Sequence, residues 1–372
     1  MEDIKINALS PEEKLVLNCS RVTLNELAIE EINQLVGKEL DWFSILKYCI
    51  KNKVIGLVWS NLKQLDLIDI IPPNINYMFE FFREGVEQRN KEMLELQNGI
   101  LGNLLEAGIR VAPLKGGFLT TNVYSSLGDR FNNDIDLLIS NKNIKEVSKI
   151  MKCMGFQHGQ VSINSGKINP ITREEEIIWK TKMNNLPPFL KKLESKYCHI
   201  FDVDFCFSLN YDMNFDLVDD MLDRALMDGK TLLLQHSDFF LHLCSHLHKE
   251  ATNAAWILMK NDVNLIKFCD IREFILKIMN ESDINEAIAR SYKYNIQDVV
   301  YYSLFYTQLI YGDLELSSYL DQFENIDTNM LYEYGKREFG SSQRWKGSLL
   351  HRLFNDSLDE LKDKETFFNL VK

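Results

Sequence analysis

VAPLKGGFLTTNVYSSLGDRFNNDIDLLIS, residues Val111 to Ser140, reads as a strand, a Gly-Gly turn, a helix, a loop and a second strand. Alternate residues of a strand project to one face. Asp134 and Asp136 therefore share a face, and Ile135 and Leu137 share the other. The apolar run Leu137, Leu138 and Ile139 marks a buried strand with an acidic start. Two carboxylates side by side repel each other and resist desolvation, so the pair calls for a compensating charge, and a divalent cation is the usual one. Gly116-Gly117 follows the first strand and opens the helix. Glycine lets the backbone approach a ligand closely, and the free N–H groups of a helix start favour phosphate.

Outward from this stretch, residues 108–210 read as an α/β unit. Its elements are strand Val111–Leu114, helix Gly117–Ser125, strand Asp134–Ile139 and helix Ile144–Met154, with Gly155 as a cap and Phe156 opening a further extended piece. Glu176–Lys180 reads as an edge strand, and Asn184–Pro188 breaks the pattern. His199–Phe207 is β-branched and aromatic, hence a strand. Its alternation puts Asp202 and Asp204 on one face and Phe201, Val203 and Phe205 on the other.

The flanks read as helical. Residues 1–107 contain apolar positions at helical spacing over Leu24–Val36, a helix capped by Asp41, another over Ile55–Leu65, and a break at Pro72-Pro73. A long pattern from Asn74 to Ala107 follows, ended by Gly108. Residues 211–372 hold an amphipathic helix over Asp216–Leu226, a helix over Asp238–His248 capped by Ser237, a helical run over Asn253–Lys277, and another over Ile296–Tyr311. Asn280, Asn285 and Asn295 mark breaks. The expected fold class is α/β (α+β), a small mixed sheet between helical regions, divided as 1–107, 108–210 and 211–372.

The chain has 372 residues, 45% hydrophobic and 26% charged, which is the balance of a globular protein. Its apolar runs are too short for a membrane span, and the polar, acidic start MEDIKINALSPEEK is unlike a signal peptide. Seven scattered cysteines without a Cys-x-x-Cys spacing point to reduced thiols in a cytoplasmic setting. The formal net charge of −12 opposes a broad grip on nucleic acid phosphates, although Lys191-Lys192 and Arg344 with Lys346 could form local basic patches.

The Gly-Gly turn, the spacer and the apolar-Asp-apolar-Asp-apolar strand resemble the polymerase-β-type nucleotidyltransferase superfamily. The spacer, residues 118–133, is somewhat long for that pattern. A closer resemblance is to a little-studied bacterial nucleotidyltransferase family with a Leu-Lys-Gly segment, a Tyr, an Arg and Asp-Ile-Asp-Leu-Leu in order. Here these are Leu114-Lys115-Gly116, Tyr124, Arg130 and Asp134-Ile135-Asp136-Leu137-Leu138. The helix beginning Asp41-Trp42, the Pro-led long helix and Ala107-Gly108-Ile109 fit the same layout. The resemblance implies transfer of a nucleoside monophosphate from a nucleoside triphosphate, with two Mg2+ ions and release of pyrophosphate. Asp134 and Asp136 would hold metal. Asp202, which matches the family's acid, is favoured over Asp204 as the third carboxylate and would share the metal with Asp134 and Asp136; Asp204 and Phe205 stand where the family often has His-Trp. Gly116, Gly117, Lys115 and Arg130 would bind the nucleotide's phosphates. The acceptor would be a small molecule, a peptide or a protein.

Other candidates carry plainer readings. His242, His246 and Glu250 share a helix face, and zinc is conceivable there, but without a second ligand cluster they read as packing residues or the lining of an acceptor pocket. The family has similar histidines after its catalytic unit. Asp270 also matches a family position and reads as a buried polar tie or an acceptor contact. The altered third strand leaves open a catalytically silent binding module for a peptide or partner enzyme. A toxin-like transferase acting on tRNA is a further alternative that the charge opposes.

Overall fold

The computed structural model describes residues 8–162 and 166–371 of the chain. The N-terminal region is helical: α1 (Pro11–Asn18), α2 (Glu26–Val36), α3 (Trp42–Asn52), α4 (Ile55–Gln64) and the long α5 (Pro73–Glu106). Each start has a local cause. Ser10 and Glu13 form a reciprocal capping box with Pro11 in the first turn. Asn25 and Asp41 accept backbone N–H groups at the starts of α2 and α3. Lys53, in the left-handed region, ends α3.

Among the described residues, six strands form one mixed sheet: β1 (Val111–Pro113), β2 (Ile135–Ile139), β3 (Gln157–Val161), β4 (Ile168–Pro170), β5 (Phe189–Lys192) and β6 (Ile200–Cys206). Their order is β1-β2-β6-β5-β3-β4, with β2 and β6 parallel and the other neighbours antiparallel. Helices α6 (Gly116–Asn122), α7 (Ile144–Cys153), α8 (Arg173–Lys182) and α9 (Phe215–Arg224) connect or follow these strands. One sheet face, carrying Val111, Ile135, Leu137, Ile139, Phe201, Val203 and Phe205, joins a core with Ile100, Leu101 and Leu104 of α5 and Val147 and Met151 of α7. That apolar face is what makes the opposite face available for polar groups.

The C-terminal region contains α10 (His236–Thr252), α11 (Ala254–Leu258), α12 (Leu265–Lys277), α13 (Glu281–Lys293) and α14 (Gln297–Tyr311), then shorter elements. The chain forms two compact units, one of residues 1–83 with 243–372 and one of residues 84–242. The divisions fall within α5 and within α10. No described helix is long and apolar enough to cross a membrane.

The mixture of helices with a mixed sheet is the α/β class expected from sequence. Several local expectations need correction. Glu176–Lys180 is not a strand but lies in α8, whose start is set by a capping box between Thr172 and Glu175. Ser237 does not cap α10, which already begins at His236. The run Asn253–Lys277 is two helices, because Lys260 takes a positive φ of 56° and the chain turns before Leu265. Asn285 lies inside α13, whereas Asn280 caps that helix and Asn295, at φ 55°, separates it from α14.

Candidate active site

Parallel pairing of β2 with β6 sets Ile135 beside Val203 and Asp136 beside Asp204. Because the apolar partners face the core, the acids face the other way. Asp134 immediately precedes β2. A carboxylate oxygen from each of Asp134, Asp136 and Asp204 lies within 4.8 Å of the others. Asp202 shares the face of Asp204 but stands opposite Leu190 of β5 and is outside that group of three. Its Oδ1 is buried with no hydrogen-bond partner.

Crowding of like charges shows in the acidities. Burial, then Asp202, Asp134 and Asp136, push Asp204 well above the usual carboxylate range, while Lys115 draws it back. Burial, then Asp134 and Asp136, raise Asp202 to about 7. Asn185 donates to Asp204 Oδ2 at 3.3 Å. An all-carboxylate donor set with unmatched negative charge is what a hard divalent cation such as Mg2+ takes. Asp134, Asp136 and Asp204 are therefore the residues that could hold one.

Lys115 sits between β1 and α6 with φ 40° and ψ −120°. Gly117 N–H donates to Leu114 C=O at 3.0 Å, so Leu114–Gly117 is a tight turn of the II′ kind. Glycine usually occupies the position that Lys115 takes in such a turn, and a side chain there costs on the order of 1–3 kcal/mol. The turn re-aims the side chain: Lys115 Nζ lies 2.7 Å from Asp136 Oδ1. Strand alternation alone does not foresee this direction.

Both glycines of the turn are closely packed. A Cβ on Gly116 would meet Asn132 Oδ1 at 2.1 Å and Arg130 Nη1 at 2.7 Å. A Cβ on Gly117 would meet Gln97 Oε1 at 2.0 Å. Arg130 donates to Asn132 Oδ1 and lies over the Tyr124 ring, 6.0 Å from its centroid. Asn132 donates in turn to Thr120 Oγ1 at 2.9 Å. Tyr124, Arg130 and the Gly-Gly turn, separate in sequence, thus form one assembly.

Helix α5 supplies residues that the sequence reading did not single out. Asn90, fully buried, donates to the carbonyls of Leu127 and Arg130 at 2.6 and 2.7 Å. Arg89 donates to the carbonyls of Asn132 and Asn133. Gln97 donates to Gly117 C=O at 3.2 Å. These bonds hold the loop that delivers Asp134 and the turn that delivers Lys115. A signal was present: Asn90 and Gln97 interrupt the buried stripe Val86, Met93, Ile100 and Leu104 at a spacing that keeps them on the same helix face.

The histidine group is arranged differently. His242 is buried in the second unit, with Phe239 as a ring neighbour at 6.3 Å. His246, Glu250 and Asp270 belong to the first unit. There Glu250 pairs with Lys267 and lies 3.5 Å from His246 Nε2. Asp270 is buried.

No curated protein matches the chain. A family model described as uncharacterised nucleotidyltransferase matches residues 38–312, a span that takes in α5, the Gly-Gly turn and all four strand acids, and the chain belongs to that family.

Proposed function

We propose that the chain transfers a nucleoside monophosphate from a nucleoside triphosphate to a small-molecule, peptide or protein acceptor, with Mg2+ as the metal. The observation that carries this reading is the gathering of Asp134, Asp136 and Asp204 around one point beside the Gly-Gly turn. Asp134, Asp136 and Asp204 hold the metal, which when bound offsets the charge that builds up on the transferring phosphoryl group. Asp204 takes the role of third carboxylate because the register of β6 sets it, and not Asp202, beside Asp136. Asp202 accepts the proton of the attacking acceptor group, a role supported by its position on the same face and by its unpartnered buried oxygen. The acceptor's nucleophilic atom bonds to the α-phosphorus, the bond to the bridging oxygen breaks, and pyrophosphate leaves. Gly116 supplies a backbone N–H and Lys115 and Arg130 supply positive charge for the phosphates. Gly117 serves by its missing side chain, since its own N–H closes the turn.

The test is thermal stabilisation by ATP, GTP, CTP and UTP, each with and without Mg2+, in the wild type and Asp134→Asn. Ligand that binds the native state raises the melting temperature by mass action. A Mg2+-dependent rise with at least one nucleotide, lost in the variant, is the expected result. No rise with any of the four would overturn the reading in favour of a silent binding module.

A further inference from the structure

The acidic cluster already contains a cation of its own. Lys115 Nζ is 2.7 Å from Asp136 Oδ1, and both side chains are largely withdrawn from solvent, at 16% and 10% exposure. The arrangement is not an accident of a long surface side chain. The backbone at Lys115 adopts φ 40°, a conformation that disfavours any residue but glycine, and that turn aims the side chain at the acids. Next along the chain stands Gly116, closely packed against Asn132 and Arg130. One residue therefore reaches the metal ligands with its side chain and borders the phosphate turn with its backbone.

We propose that Lys115 is a built-in counter-cation that stands in for metal and exchanges partners when substrate arrives, so that metal and nucleotide bind as a coupled pair. This rests on the metal-dependent transfer reading above. An ammonium in contact with Asp136 and a divalent cation on the same carboxylates repel each other at a separation of a few ångströms. Metal alone must displace or tolerate Lys115, which weakens its binding. A triphosphate entering at Gly116 offers oxygens to the displaced ammonium, whose four-carbon stem lets it turn from one anion to the other. Metal bound with nucleotide then escapes the penalty. By linkage, metal strengthens nucleotide binding by the same factor. The design keeps the acids partly neutralised and the metal sites from filling before the donor is present.

The experiment measures binding of Mn2+, a carboxylate-binding probe for Mg2+, by the loss of its free-ion electron paramagnetic resonance signal beyond the loss that the same nucleotide causes without protein. It is run on wild type, Lys115→Met, Lys115→Gly and Lys115→Arg, without nucleotide and with each of the four α,β-methylene nucleoside triphosphates. Lys115→Gly also removes the backbone strain, so it keeps the test valid if Lys115→Met folds poorly. Without nucleotide, the Met and Gly variants should bind Mn2+ about tenfold tighter than wild type, and Lys115→Arg should resemble wild type. With nucleotide, the wild type should gain Mn2+ affinity about tenfold or more, and the Met and Gly variants should gain much less. Wild type that binds Mn2+ with nucleotide, beside charge-removed variants that bind Mn2+ alone no tighter, overturns this proposal while leaving the transfer reading standing. Wild type that takes up no Mn2+ even with nucleotide overturns both.

Discussion

The buried ion pairs of the first unit contrast with the acidic sheet face of the second, although the second also holds a matched pair, Arg224 with Asp238. In the first, the buried acids Glu250, Asp262 and Glu273 each meet a cation. Arg272 bonds to both Glu273 and Asp313, and Glu273 also accepts from Val22 N–H at 3.0 Å and Thr23 Oγ1 at 3.0 Å. Arg352 lies 2.6 Å from Asp262, which also accepts from Ser357 Oγ at 2.9 Å. Glu250 pairs with Lys267. Burial works against the charge on Arg272, but Asp313 and Glu273 more than offset it and push its basicity up. In the second unit, four acids crowd one sheet face. Of the charged groups acting on Asp204, three are acids that raise it and one is Lys115. Matched charge holds elements of a fold in register. Unmatched charge, kept buried at a cost to the fold, is what a bound cation would offset. The same residue types thus mean different things, and the balance of partners separates them.

That contrast makes opposite demands on similar substitutions. Asp204→Asn removes an acid crowded by three others from the unmatched face. Transfer activity should fall at least about a thousandfold, or about 4 kcal/mol of barrier, while the melting temperature without metal stays level or rises. Turnover comparable to wild type in a pyrophosphate-release assay would refute the metal assignment. Asp262→Ala removes an acid from a matched network and leaves the Arg352 guanidinium buried without its main partner. It should cost about 3–5 kcal/mol of stability, read from urea unfolding. A loss under about 1 kcal/mol would show that the first unit does not depend on its matched pairs and would dissolve the comparison.

How much of this was legible beforehand follows from what local patterns can encode. The Asp134–Asp136 pair was readable because alternation within one strand fixes a shared face. The choice between Asp202 and Asp204 was not readable by the same logic: they share a face too, and only the register against β2, a pairing across a long stretch of chain, sets Asp204 beside Asp136. The direction of Lys115 depended on a positive φ that lysine seldom adopts, so its residue type argued against the conformation it takes. Other misses were avoidable. Thr172 and Glu175 stand at capping-box spacing, and the three glutamates that follow Arg173 suit the first turn of a helix, yet the segment read as a strand. Asn90 and Gln97 announced themselves as polar breaks in an apolar stripe. The grouping of residues 1–83 with 243–372 was beyond reach, since helical periodicity shows that a face is buried without saying against what.

Smaller effects sharpen the picture of the acidic face itself. Asp202 has a folded-state acidity raised to about 7 by burial, Asp134 and Asp136, so the fold favours its protonated form. The stability this contributes is complete below the unfolded value near 3.9 and is lost as pH rises through about 7. In the metal-free protein, Asp202→Asn should therefore gain about 1–3 kcal/mol over wild type at pH 8 and nothing near pH 4. Urea unfolding in the presence of a chelator measures both. A variant that tracks the wild type at every pH would mean that Asp202 is not strained by its neighbours.

The least of the expected effects concerns the turn beside the acids and asks whether it is set by packing or left for the ligand to shape. Gln97 donates to Gly117 C=O, and its Oε1 stands where a Gly117 side chain would be. If packing sets the turn, Gly117→Ala must push Gln97 aside and break that bond, costing about 1 kcal/mol. Gln97→Ala loses the same bond and should cost about as much. The double variant loses it only once and has the space the new methyl group needs, so the two costs should fail to add by about 0.5–1 kcal/mol. Additive costs would mean that Gln97 and the turn are independent, and that the shape of the turn awaits the phosphates. Coupled costs would mean that α5 holds the turn ready, with the unmatched acids beside it as the part of the site that still waits for its ligand.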